Sequence, residues 1–130
     1  MTATIQLTRS YTLSALHVLG RSDVSVDENL AIFGPCARPH GHDYRVQVTV
    51  SGTVDGITGR VVERDQLDAA VERALIGPFD GSHLNDHFAN TAGEALVRDF
   101  FELLVPELEG VTLVRVTLVE TAKNRFVYSG

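Results

Sequence analysis

At 130 residues the chain can bury one substantial core but not two, so one domain spanning residues 1–130 is expected. Its 44% apolar and 22% charged content is that of a soluble globular protein, and its net charge of −6 argues against a general nucleic-acid binder and against docking on anionic membranes. The single cysteine excludes an intrachain disulfide framework, which leaves Cys36 as a small buried apolar residue or a working thiol. The start, Met1-Thr2-Ala3-Thr4-Ile5-Gln6, has neither the basic nor the apolar segment of a signal peptide, and no apolar run approaches a membrane span. A cytoplasmic location is the expectation.

Residues 4–19 alternate, with Ile5, Leu7, Tyr11, Leu13, Ala15, His17 and Leu19 on one parity and Arg9 the exception. This predicts a long strand with one buried face, closed by an inward histidine. Residues 20–35, with Gly20, Arg21, Ser22, Asp23, Gly34 and Pro35, read as a loop of functional length whose tip is expected to be mobile. A second strand follows over 40–54, and His40 and His42 share the parity of Tyr44, Val46, Val48 and Val50. If the two strands form an antiparallel hairpin, His17 comes beside His40 and His42.

Gly56 and Gly59 mark a turn before a helix capped near Asp65, with Leu67, Val71, Ala74 and Leu75 at helical spacing and Gly77-Pro78 as its end. The segment Phe79 to His87 carries more titratable groups than a connector needs. Thr91 and Glu94 form a capping-box pattern. The helix behind it is expected to bury Leu96, Phe100, Leu103 and Leu104 and to stop at Pro106. Strands from Val111 to Val119 and from Arg125 to Tyr128 follow, joined by a turn at Ala122-Lys123-Asn124. Helices grouped between strand pairs predict an α+β fold, a four-stranded antiparallel sheet with two helices on one face. The third strand reads as apolar on both parities, so its second face is expected to pack against another subunit or inside a closed barrel.

Three neutral imidazoles with an open fourth position form a known catalytic zinc arrangement, in which the metal acidifies a bound water or hydroxyl and polarises a carbonyl. The competing reading of His40-Gly41-His42 is a pair of hydrogen-bonded strand-end histidines. Cys36 is a buried thiol or, beside a cation, a proton acceptor. Asp80 is a surface carboxylate or a catalytic one. Glu120 is tipped into solvent or buried as an acceptor for the paired N–H groups of a guanidine-like ligand edge.

These stretches carry a resemblance. Arg9-Ser10-Tyr11-Thr12-Leu13-Ser14-Ala15-Leu16-His17, Cys36-x-x-x-His40-Gly41-His42 and Glu120-Thr121-x-x-Asn124-x-x-x-Tyr128 resemble the motifs of the 6-pyruvoyl-tetrahydropterin synthase family, including the 6-carboxytetrahydropterin synthases of the queuosine pathway. The three-residue gap after Cys36 is that of the carboxytetrahydropterin branch. The resemblance implies the tunnelling fold, assembled as a homohexamer of two stacked trimers with sites between subunits. It implies a lyase acting on 7,8-dihydroneopterin triphosphate with loss of triphosphate. Zn²⁺ would sit on His17, His40 and His42, Cys36 would move protons, and Glu120, with Thr121 beside it, would fix the pterin.

One position departs from the family. Its Leu-Asp-His-x-x-Leu-Asn segment, which supplies a relay aspartate and histidine, reads Phe79-Asp80-Gly81-Ser82-His83-Leu84-Asn85 here. His83 lies three residues after Asp80, within reach on a helical turn, and is the expected replacement for the relay ring, with His87 as second candidate. The usual Pro-Thr-Ala-Glu helix start reads Asn90-Thr91-Ala92-Gly93-Glu94. Gly81 keeps two other readings open: a divergent paralogue with altered pterin lyase or aldolase activity, and a non-catalytic pterin-binding protein.

Overall fold

The alternating stretches form one antiparallel sheet in the order β1-β2-β3-β4, with β1 at Thr4–His17, β2 at His40–Thr53, β3 at Thr112–Val119 and β4 at Arg125–Tyr128. The computed structural model describes residues 3–21 and 23–130, so Met1, Thr2 and Ser22 lie outside the described residues. β1 and β2 pair along their whole length, from Thr4 opposite Thr53 to His17 opposite His40. That register puts the apolar sets of both strands on one face: Leu13, Ala15 and His17 of β1 and Tyr44, Val46, Val48 and Val50 of β2 are at most 6% exposed. Helix α2 (Arg64–Val71) buries Leu67, Ala70 and Val71 in this core. Helix α3 (Gly93–Leu104) buries Leu96, Val97, Phe100, Phe101 and Leu104, a stripe at helical spacing. The expected α+β sheet-and-helix layer is therefore present. Arg9, the exception in β1, turns toward α2, where its guanidinium donates twice to the Asp68 carboxylate at 2.8 and 2.9 Å and Tyr11 adds a third bond at 2.6 Å.

Several expectations need correction. The stretch 20–35 is not an irregular loop: it holds helix α1 (Val26–Phe33), which makes three helices among the described residues, followed by a 3-10 turn at Gly34–Ala37. The Ser25 hydroxyl accepts the Glu28 N–H at 3.1 Å, the sequence signature of a helix start. The helix buries no residue, so no apolar stripe announced it. In α2 the N-cap is Glu63, and Asp65 lies inside the first turn without capping it. Gly77-Pro78 does not end this helix, because a π turn at Glu72–Ile76 lets the backbone continue helically through Phe79. Proline's ring clashes with the carbonyl four residues back in a regular helix, and the wider turn, in which the Gly77 N–H reaches Glu72, relieves that.

The Thr91–Glu94 capping box is also absent. Ala92 is the N-cap of α3, and the Thr91 hydroxyl donates instead to the Val18 carbonyl at 3.0 Å. Leu103 stays 38% exposed, while Leu104 takes the core position. β3 does not follow strict alternation, because a bulge opposite Thr49 and Val50 pairs them with Arg115 and Leu113. Leu113 thereby joins Val116 and Leu118 toward the core, and the outer face carries Arg115, Thr117 and Val119. The doubly apolar strand inferred from parity is a product of ignoring that extra residue.

Gly93 opens α3 where Phe126 of β4 crosses it, and a Cβ there would run into the Phe126 ring. Gly93→Ala is expected to displace that ring and destabilise the fold by about 1–3 kcal/mol, seen as a lower denaturant midpoint at unchanged slope.

Candidate metal centre and active site

The hairpin register sets His17 opposite His40 and Ala15 opposite His42, which gathers three imidazoles at one end of the sheet. Their ring centroids are 4.4 Å apart for His17 and His40, and 5.0 Å for each pair involving His42. One nitrogen from each ring lies within 4.8 Å of the other two. The tautomers follow from their partners. A carbonyl can only accept, so His17 Nδ1–H donates to the Thr91 carbonyl at 3.0 Å and His40 Nδ1–H donates to the Arg38 carbonyl at 2.8 Å. Each ring then presents a bare Nε2.

Nε2 of His17 and Nε2 of His42 are buried with no hydrogen-bond partner. Leaving such an atom unsatisfied costs roughly 1–3 kcal/mol, a cost that a shared cation removes. Burial holds the His17 pKa below its ordinary value; the Thr91 bond opposes this, and charge on His40, His42 or His83 would depress it further. A neutral imidazole is the form that binds metal. The donor set therefore fits a three-histidine site with an open fourth position, and the alternative of two merely hydrogen-bonded strand-end rings does not explain three converging nitrogens.

Around this centre the other candidates are distributed unevenly. The Glu120 carboxylate ends β3 and lies 4.0 Å from His42 Nε2, with both side chains 16% exposed. His83 pairs with Leu16 on the free edge of β1, and its Nδ1 is buried without a partner. It sits close enough for its charge to act on His17, whereas His87 is exposed against the edge of Phe79, 5.1 Å between centroids. The Asp80 carboxylate accepts the Ser14 N–H at 2.8 Å. The turn from Asp80 to His83 is not helical, since both residues are extended and Gly81 sits at φ +75°. Among the described residues Asp80 and His83 form no ion pair within 4.0 Å, so the reach assumed from a helical turn is not realised. Cys36 is exposed in the 3-10 turn, and its carbonyl is held by the Leu19 N–H at 2.7 Å. Thr121 lies in the β3–β4 turn, where its hydroxyl accepts the Lys123 N–H. A cleft of about 340 Å³ at the same end of the sheet is lined by Ser14, Leu16, His42, Asp43 and Gly81, with His42 the one imidazole in its lining among the described residues.

Two residues that matter here were not singled out as site residues. Thr91 orients His17 through its carbonyl and ties Val18 through its hydroxyl. Asn85 clamps the same Val18 backbone, accepting its N–H at 2.9 Å and donating to its carbonyl at 3.1 Å. Such outer partners fix the ring orientation of a ligating histidine.

Fold and site together define a class: an α+β protein whose paired strand ends present three imidazoles able to hold one metal ion. Residues 6–130 match the family described as 6-pyruvoyl tetrahydropterin synthase. The 6-pyruvoyl tetrahydrobiopterin synthases of Pongo abelii and Homo sapiens are 36% and 35% identical to the chain over 132 residues, in each case covering 96% of it and 91% of the relative. The solved structure of Caenorhabditis elegans 6-pyruvoyl tetrahydropterin synthase superposes with a TM-score of 0.89 at 28% identity, covering 98% of this chain and 96% of that one. The chain belongs to the 6-pyruvoyl tetrahydropterin synthase family, a family of lyases. Among the described residues no helix is long and apolar enough to cross a membrane.

Proposed function

We propose that the protein is a zinc-dependent lyase that converts 7,8-dihydroneopterin triphosphate to 6-carboxy-5,6,7,8-tetrahydropterin, or to the 6-pyruvoyl product, with loss of triphosphate. The observation that carries this reading is the convergence of three imidazole nitrogens with the Glu120 carboxylate 4.0 Å from His42. When bound on His17, His40 and His42, zinc supplies Lewis acidity that eases deprotonation of substrate hydroxyls and polarises a carbonyl. Glu120 accepts the paired N–H groups of the pterin's guanidine-like edge, Cys36 moves protons at the side chain, and Asp80 and His83, which among the described residues form no ion pair with each other, act as separate proton-transfer groups. The Cys36-x-x-x-His40 spacing favours the carboxy product. The same reading places the protein in the cytoplasm as one domain and assembles it into a homohexamer. In favour of assembly, β1 and β4 are the edge strands of the sheet among the described residues, only the Ser14–Leu16 end of β1 is paired, to residues 80–83, and Leu16 and Val127 remain 48% and 56% exposed.

Mass spectrometry of the products formed from 7,8-dihydroneopterin triphosphate tests the proposal, since pyruvoyl, carboxy and hydroxymethyl pterins differ in mass. A carboxy or pyruvoyl pterin formed with stoichiometric triphosphate supports it. Unchanged substrate with metal-loaded protein overturns it. A hydroxymethyl product would establish the second reading, a side-chain-cleaving paralogue, which Gly81 at the relay position favours. Glu120→Gln is expected to raise KM roughly 10–100-fold with metal content unchanged, because the shape survives while the charged acceptor for the two ring donors is lost.

A further inference from the structure

On the sheet face opposite the imidazoles, a second cleft of about 410 Å³ opens at the β3–β4 turn, and Arg45, Lys123 and Arg125 line it with Thr121 and Asn124. Among the described residues no carboxylate lines it. The chain as a whole is acidic, with a net charge of −6 and eleven basic side chains. Five of those eleven lie within 4.0 Å of a carboxylate, and among the described residues none of the three in this cleft does. Three uncompensated cations in one concavity of an acidic protein form a local positive field.

The sheet register builds the arrangement. Arg45 of β2 pairs with Val119 of β3, and Val119 pairs with Arg125 of β4, so the two guanidinium stems flank Val119 across two strand spacings, roughly 10 Å. Lys123 joins them from a turn held by its own bonds: Thr121 N–H to the Asn124 carbonyl, Asn124 N–H back to the Thr121 carbonyl, and Lys123 N–H to the Thr121 hydroxyl. Neighbouring residues on a strand face opposite ways. Glu120 therefore reaches toward His42 while Val119 and Thr121 line this cleft, and Arg45 is exposed while Tyr44 beside it is fully buried. The cleft is thus a separate place from the metal centre of the same chain.

We propose that this cleft binds a polyphosphate anion. Arginine forks match phosphate oxygens bidentately, and cations spread over two strand spacings suit a chain of phosphates better than a single one. The bound chain is either free polyphosphate or the polyphosphate tail of a phosphorylated metabolite.

The test is calorimetric titration of the purified full-length protein with inorganic triphosphate at fixed ionic strength, alongside Arg45→Ala, Arg125→Ala, the double variant, Lys123→Glu and His40→Ala. Binding is expected to weaken roughly tenfold in each single arginine variant and further in the double, and to persist in His40→Ala. Lys123→Glu, in an exposed turn, checks the same loss without touching the sheet. Equal affinity in the wild type and the double variant overturns the proposal. So does loss of binding in His40→Ala, which would put the anion at the histidines, or equally tight binding of sulfate at the same ionic strength. A rise in KM for a triphosphorylated substrate in the arginine variants assigns the bound tail to that substrate. Inhibition of wild-type turnover by added inorganic triphosphate that the arginine variants lose, at unchanged KM, assigns it to the free anion.

Discussion

His40→Ala is expected to take the purified protein from about one bound metal ion per chain to almost none, and to lower turnover at least about 10³-fold. His40 opens β2, and its ring is held on one side only by the Arg38 carbonyl, so truncation removes a ligand without opening the core. His17 is the poorer choice for this experiment. It is 1% exposed and bonded to Thr91, and its loss would disturb packing as well as coordination. Elemental analysis beside circular dichroism separates the outcomes: a folded, metal-free, inactive variant supports the three-imidazole centre, and a folded variant with its metal retained rejects it. Acid should act in the same direction. Folding lowers the proton affinity of His17, so its contribution to stability is complete above the ordinary imidazole value of 6.5 and is lost as pH falls through the lower folded value. Metal loading falls over the same range, because protons compete for the same nitrogens.

The parts of this site that sequence made legible are those governed by a strict period. Alternation along β1 and β2 fixes which face each side chain takes, so His17, His40 and His42 could be placed together before any coordinates, and the register bears this out. Where the backbone departs from the regular period, parity misleads. The bulge in β3 moves Leu113 to the core face, and the π turn carries α2 past a proline that should have ended it. Side chains with two local options misled as well. Thr91 has the identity and spacing of a helix cap, but its hydroxyl serves Val18 and its carbonyl serves His17, contacts separated by more than seventy residues in the chain. Only tertiary structure could choose between them. Gly81 shows the converse: its left-handed backbone, φ +75°, is one that a side chain would strain, and His83 stands near His17 from the next stretch of the β1 edge.

Cys36→Ala is expected to reduce turnover by about 10²–10⁴ while leaving metal content and stability unchanged, the signature of a lost proton-transfer group. The thiol is exposed in the turn between α1 and β2, so its removal empties no part of the core and should shift stability by no more than about 0.5 kcal/mol. Position there is set by the backbone, since the Cys36 carbonyl takes the Leu19 N–H at 2.7 Å, two residues beyond His17. A side chain so placed is poorly suited to a packing role. Cys36→Ser sharpens the test. A hydroxyl keeps the size but ionises far less readily than a thiol, so serine should be nearly as inactive as alanine if the thiolate accepts the proton. Should Cys36→Ser retain most of the turnover, the group would be a hydrogen-bonding contact and not the base. Should Cys36→Ala also release the metal, the thiol would belong to the coordination sphere and the division of labour between Cys36 and the three imidazoles would have to be redrawn.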